Sequence, residues 1–165
     1  MRHSMIIATL ALVGVFVAGI ACAAPTVDIA IGKDLQKKAH KYGDRELTYL
    51  RQDLTQSIQS MAKRQGDPAL DGAKFSLVIA DAKPNHPTFQ QMSDTTGLSW
   101  LSIGIGGASI EGSVTYADGR VIPVKYSWYD HDITEAVGSS TWTAAERAFD
   151  MMAYKVARDG TTATR

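Results

Sequence analysis

Leu47, Leu50, Leu54, Ile58 and Met61 fall three or four residues apart, the spacing of one face of an α-helix. Arg51, Asp53, Gln56 and Gln59 fall off that face. Asp44 stands where an N-cap carboxylate would accept the first free backbone N–H groups. Gly66-Asp67-Pro68 supplies the stop, since Pro68 has no N–H to donate. A second helix is predicted over 142–158, with Ala145, Ala148, Phe149, Met152 and Val156 as its buried stripe. Thr143-x-x-Glu146 offers a capping box at its start and Gly160 an end.

Strand patterns lie between and before these helices. Val27-Asp28-Ile29-Ala30-Ile31 alternates and predicts a first strand. The lysine-rich 32–43 reads as a loop or short exposed helix. In 74–80, Phe75, Leu77 and Ile79 take one face while Val78 and Ala80 keep the other apolar, which suits the middle of a sheet. The stretch 81–107 holds Pro84, Pro87 and four glycines; it reads as a functional loop or as hiding a short strand near 98–103.

The segment 109–128 reads as a hairpin whose register can be argued. A two-residue Asp118-Gly119 loop would set Thr115 against Ile122. A three-residue loop, Ala117-Asp118-Gly119 with Gly119 left-handed, pairs Val114 with Ile122, Ile110 with Tyr126 and Glu111 with Lys125. The second register matches like with like on both faces. Pro123 then points outward, which suggests an edge position or a bulge. The order strand, helix, strand, loop, hairpin, helix predicts a two-layer α/β sandwich, a four- or five-stranded sheet with two helices on one face.

The first 23 residues follow another plan. Arg2 precedes an uncharged apolar run from Met5 to Ala21, then the small residues Ala21-Cys22-Ala23-Ala24. That order is a secretory signal peptide, with cleavage expected after Ala23. Gly19-Ile20-Ala21-Cys22 is a weak lipobox, with Gly19 where Leu is usual, so lipidation of Cys22 is the rival; an uncleaved anchor ranks third. Cleavage leaves 24–165 as one domain of 142 residues, long enough to bury a core without disulfides. It also leaves no cysteine, hence no thiolate ligand or nucleophile.

Loss of Arg2 leaves 16 Lys+Arg against 17 Asp+Glu, a net charge of −1. Near-neutrality argues against a nucleic-acid or anionic-membrane partner. Lys33, Lys37, Lys38 and Lys41 read as a solvated cluster. The glycines Gly104, Gly106 and Gly107 lead into a strand with no lysine at hand, so they predict a close-packed turn and not a phosphate cradle. Tyr129-Asp130-His131-Asp132 lacks metal-ligand spacing, and no metal, cofactor or catalytic set is expected. Trp100 in the glycine-rich loop is the leading binding candidate, followed by His86, Tyr129 and His131; Trp128 belongs to the core by parity.

The leader, the 75–80 strand, Gly104-Ile105-Gly106-Gly107-Ala108 running into the hairpin, and the alanine-rich last helix together resemble uncharacterised bacterial envelope proteins and lipoproteins with TolB N-terminal-like or CsgG-like α/β domains. The resemblance implies a non-enzymatic binding or assembly module in the periplasm, or lipid-anchored in the outer membrane, with an envelope protein as partner. Membrane contact is expected only if Cys22 is lipidated. An inhibitor or immunity protein is the alternative within the binding class. A small hydrolase, with a site near 130–132 joined by His86, is the alternative from outside it.

Overall fold

The computed structural model describes residues 23–65 and 70–159. The leader before Ala23 with Cys22, the Gly66-Asp67-Pro68 stop and Gly160 lie outside the described residues. Four strands, β1 (Thr26–Ile31), β2 (Lys74–Lys83), β3 (Gly107–Thr115) and β4 (Val121–Tyr129), form one mixed sheet in chain order. β1 and β2 are parallel, and the remaining pairs are antiparallel. Two helices, here α3 (Asp44–Gln65) and α5 (Thr143–Asp159), pack on the sheet and on each other. This is the expected two-layer α/β sandwich, with four strands.

The hydrophobic stripes account for the layering. Leu47, Leu50, Leu54 and Ile58 are buried, Met61 is half-buried, and all five stripe residues of α5 are buried. They meet Phe75, Leu77, Ile79, Ile110, Val114, Val124 and Tyr126 from the strands. Each such side chain taken from water is worth about 1.5–3 kcal/mol. The hairpin register is the one argued from pattern: Val114 faces Ile122, Ile110 faces Tyr126 and Glu111 faces Lys125. Tyr116 and Arg120 close a three-residue loop in which Gly119 has φ +86°. Pro123 sits exposed on β4, an edge strand. The opposite face of the sheet carries exposed Glu111 and Lys125 with half-buried Ser113 and Thr115.

Several local expectations change. The 32–43 stretch forms two single turns, α1 (Lys33–Gln36) and α2 (Ala39–Tyr42), which bury Leu35 and Tyr42. Helix α3 begins at Asp44 itself, so this carboxylate favours the positive end of the helix from inside the first turn. The 98–103 segment forms no strand; the regular element of the long connection is α4 (Phe89–Asp94), held by a Thr88–Gln91 capping box. The Thr143–Glu146 box does not form. Thr143 Oγ1 accepts from the Ser140 N–H, and Glu146 accepts from Tyr49 of α3.

β2 runs three residues further than predicted, through a bulge between Ile79 and Asp81. The extra residue resets the alternation, so Ala82 enters the core while Asp81 is half-buried. Contacts Glu46–Trp142, Tyr49–Glu146 and Ser57–Asp150 advance together along both helices, so α3 and α5 run parallel. Their N-termini therefore share one end of the molecule with the connections 84–106 and 130–142. Ala23, bonded to Gly72, and the 116–120 turn lie at the other end.

Candidate functional site

Asn85 is the centre of the loop-bearing end. Its side chain is buried; Nδ2 donates to Asp130, and Oδ1 accepts from the Ala144 N–H of α5 at 2.8 Å. Its backbone N–H reaches Thr141 O at 2.8 Å, and its carbonyl accepts from Gly104 N at 2.8 Å. Asp130, also buried, accepts from Gly106 N at 3.3 Å and returns its own N–H to Gly106 O at 3.0 Å. One amide thus ties the start and end of the long loop to the exit of β4 and the first turn of α5.

The glycines serve this lock. A Cβ on Gly106 would collide with the Asn85 side chain, and one on Gly107, the first residue of β3, with the backbone of Trp128 and Tyr129. Gly104 makes the return bond to Asn85, while Gly119 lies in the hairpin turn at the far end. Close packing is found at Gly106 and Gly107, whereas a Cβ on Gly104 would make only ordinary contact, with Pro84 O at 3.7 Å.

His86 extends the lock outward. Its Nδ1 lies 2.9 Å from Trp100 O and its Nε2 3.2 Å from Ala136 O, the latter in a 3₁₀ turn, Ile133–Ala136. Donating to both carbonyls requires the doubly protonated ring; the neutral ring has one N–H and secures one loop at a time. The two loops so joined present apolar side chains to solvent: Trp100 is 59% exposed, Leu101 90% and Val137 70%, with Ile105 and Ile133 each 47% and Ile103 37%.

Tyr129 belongs to a different cluster. Its hydroxyl donates to Asp81 at 2.9 Å, and Lys38 bonds the other Asp81 oxygen at 2.6 Å. Burial pushes the Asp81 carboxyl up, but the bonds from Lys38 and Tyr129 outweigh it and leave it below its ordinary value. Burial first, and Asp81 second, push the Tyr129 phenol up. Lys38 is raised by the same carboxylate. These shifts deepen the resting charge states, as in a structural strut between the α1–α2 segment and the sheet.

His131 is exposed, and its backbone N–H donates to Glu135. The small pocket beside His86 is lined by Pro84, Gln91, Leu98, Ser102 and Ile103, without His131 or a carboxylate. Of the four binding candidates, the fold places His86 and Trp100 in one crown, sets His131 in the loop next to it, and sends Tyr129 to the sheet. Trp128 is half-buried against the core, with Arg147 over its ring.

The Asn85–Asp130 pair escaped sequence reasoning, because an Asn between two prolines carries no pattern that names a partner 45 residues away. Among the described residues, no group of three His, Cys, Asp or Glu side chains gathers as a metal cradle. Among them, too, no helix is long and apolar enough to cross a membrane. No family model, curated protein or solved structure matches this chain.

Proposed function

We propose that the protein is a non-enzymatic, exported envelope module that binds another protein through the crown formed by 97–105 and 133–137. One observation carries this reading: six large apolar side chains stand exposed on two loops that a buried amide and a histidine hold together. Exposed apolar side chains scattered singly are ordinary, whereas a set gathered on neighbouring loops marks an interaction surface. Trp100 supplies the kind of large, stiff side chain that anchors interfaces. The leader supports a periplasmic location, with a lipid anchor at Cys22 as the other route to the envelope.

The test is a pull-down from envelope extract with wild type and with a Trp100→Ala/Leu101→Ser variant. The variant is expected to keep the wild-type melting temperature and to lose a partner that wild type retains at near-equal stoichiometry. Retention of that partner by the variant removes the crown from the reading, and unfolding of Trp100→Ala would place the ring in the core. The identity of the retained protein separates an assembly partner from a hydrolase or toxin held in check.

A further inference from the structure

We infer that the partner seated on this crown is a protein surface with an apolar centre and a basic rim. The inference rests on the binding reading above and adds the partner's chemistry. Although 17 of the 165 residues are Lys or Arg, neither connection that builds the crown, 84–106 or 130–142, contains one. Chains of this composition would ordinarily place several there. The carboxylates are not excluded in the same way: Asp94, Asp130, Asp132 and Glu135 all lie in these two segments.

Asp130 is buried in the lock, and the other three are exposed. Asp132 and Glu135 flank Ile133 and Val137 directly. Their carboxylates accept from the Thr134 and His131 backbone N–H groups, at 2.7 and 3.1 Å, and the bond from Thr134 holds Asp132 below its usual range. The nearest lysines along the chain and in the strut are committed elsewhere, Lys83 over the Tyr129 ring and Lys38 on Asp81. Around Ile133 and Val137 the apolar side chains are edged with carboxylates, whereas on the α4 side Arg45 lines a hollow with Phe89 and Gln90. An edge of one sign excludes partners of that sign and steers the opposite one. An anionic membrane surface and an acidic peptide both carry the wrong charge.

A synthetic amphipathic Leu/Lys peptide and a Leu/Glu peptide of the same apolar pattern make the probe, read by tryptophan fluorescence. Trp100 is the exposed indole, whereas Trp142 is buried and Trp128 half-buried. The Leu/Lys peptide is expected to shift emission to the blue and the Leu/Glu peptide to leave it unchanged. Affinity for Leu/Lys should fall about tenfold in Asp132→Asn/Glu135→Gln, which keeps a side-chain oxygen to accept from each backbone N–H, and again in high salt. Asp94→Asn, away from the 3₁₀ turn, should weaken it in the same direction.

Equal response to both peptides, with loss of both in Leu101→Ser/Val137→Ser, overturns the basic partner and leaves the docking surface standing. Leu/Lys binding that survives Leu101→Ser/Val137→Ser overturns both. Concentration-dependent dimerisation abolished by the same variant would make a second copy the occupant and overturn the basic partner. Binding to phosphatidylglycerol vesicles through these residues would overturn it as well.

Discussion

Asn85 shows how one residue can carry a site without touching a ligand. It satisfies a buried carboxylate and a helix N–H at once, and Gly106 lies so close that any side chain there would displace it. Asn85→Ala leaves the buried Ala144 N–H unpaired and Asp130 with only its bond from the Gly106 N–H, for an expected loss of about 2–4 kcal/mol in urea denaturation. Gly106→Ala in the wild-type background should cost a similar amount, because its Cβ occupies the amide's place. In the Asn85→Ala background the same glycine substitution should be nearly free, since the obstruction is gone. Additive losses in this double-mutant cycle would mean that glycine and amide act independently. Little of this was legible beforehand. The glycines announced a tight turn, but what the turn tightens around is a tertiary contact, and no local period encodes it.

Among the elements, the legible ones are those whose burial is periodic. Stripe residues Leu50 and Leu54 and the Ile110–Tyr126 pairing follow from apolar spacing, because a one-residue slip would turn a whole face to solvent. The single turns at Leu35 and Tyr42 are too short to show a period. Helix α4 is legible only through Thr88-x-x-Gln91, a capping box that apolar spacing does not mark. Asp53 is an off-stripe residue of α3 that nevertheless meets α5. Its Oδ2 is buried without a partner, with Glu146 and Asp150 of α5 as the charges acting on it. Tyr49 and Ser57, one turn away on either side, donate to Glu146 and Asp150 and not to Asp53. Burial first, then Glu146 and Asp150, push the Asp53 carboxyl up from 3.8 to about 6. A carboxyl raised on folding adds stability that is fully present below the unfolded value and lost as pH rises through the folded one. Without screening the shift would be worth about 3 kcal/mol; with the side chain half-exposed, about 1–2 kcal/mol is expected. Asp53→Asn should therefore melt higher than wild type at pH 7, and the two curves should converge towards pH 4. A constant difference across that range would show that Asp53 ionises in the fold as it does in the unfolded chain.

At the scale of the whole molecule, the start of β1 gives the crown its orientation. Thr26 opens β1 at the end of the sheet opposite the crown, three residues after the expected cleavage at Ala23. Removal of 1–23 forfeits the Gly72–Ala23 backbone bond while keeping Thr26 N on Ala73 O, so the domain starting at Ala24 should fold with near-unchanged stability. An intact mass beginning at Ala24 is the expected product in a periplasmic extract, and a diacylglyceryl mass on Cys22 would mean lipidation instead. Either route puts any tether at the far end and leaves Trp100 and Val137 facing away from it. A chain beginning at Ala24 has no cysteine, which permits single-site blocking on protein made from that residue. Val137→Cys and Lys74→Cys, both exposed positions at opposite ends, can each be capped with a maleimide–polyethylene glycol. Capping at 137 should abolish the blue shift produced by the Leu/Lys peptide, and capping at 74 should leave it intact. The reverse pattern would move the binding surface to the end where β1 and β2 begin, and binding insensitive to both caps would leave only the two faces of the sandwich to carry it.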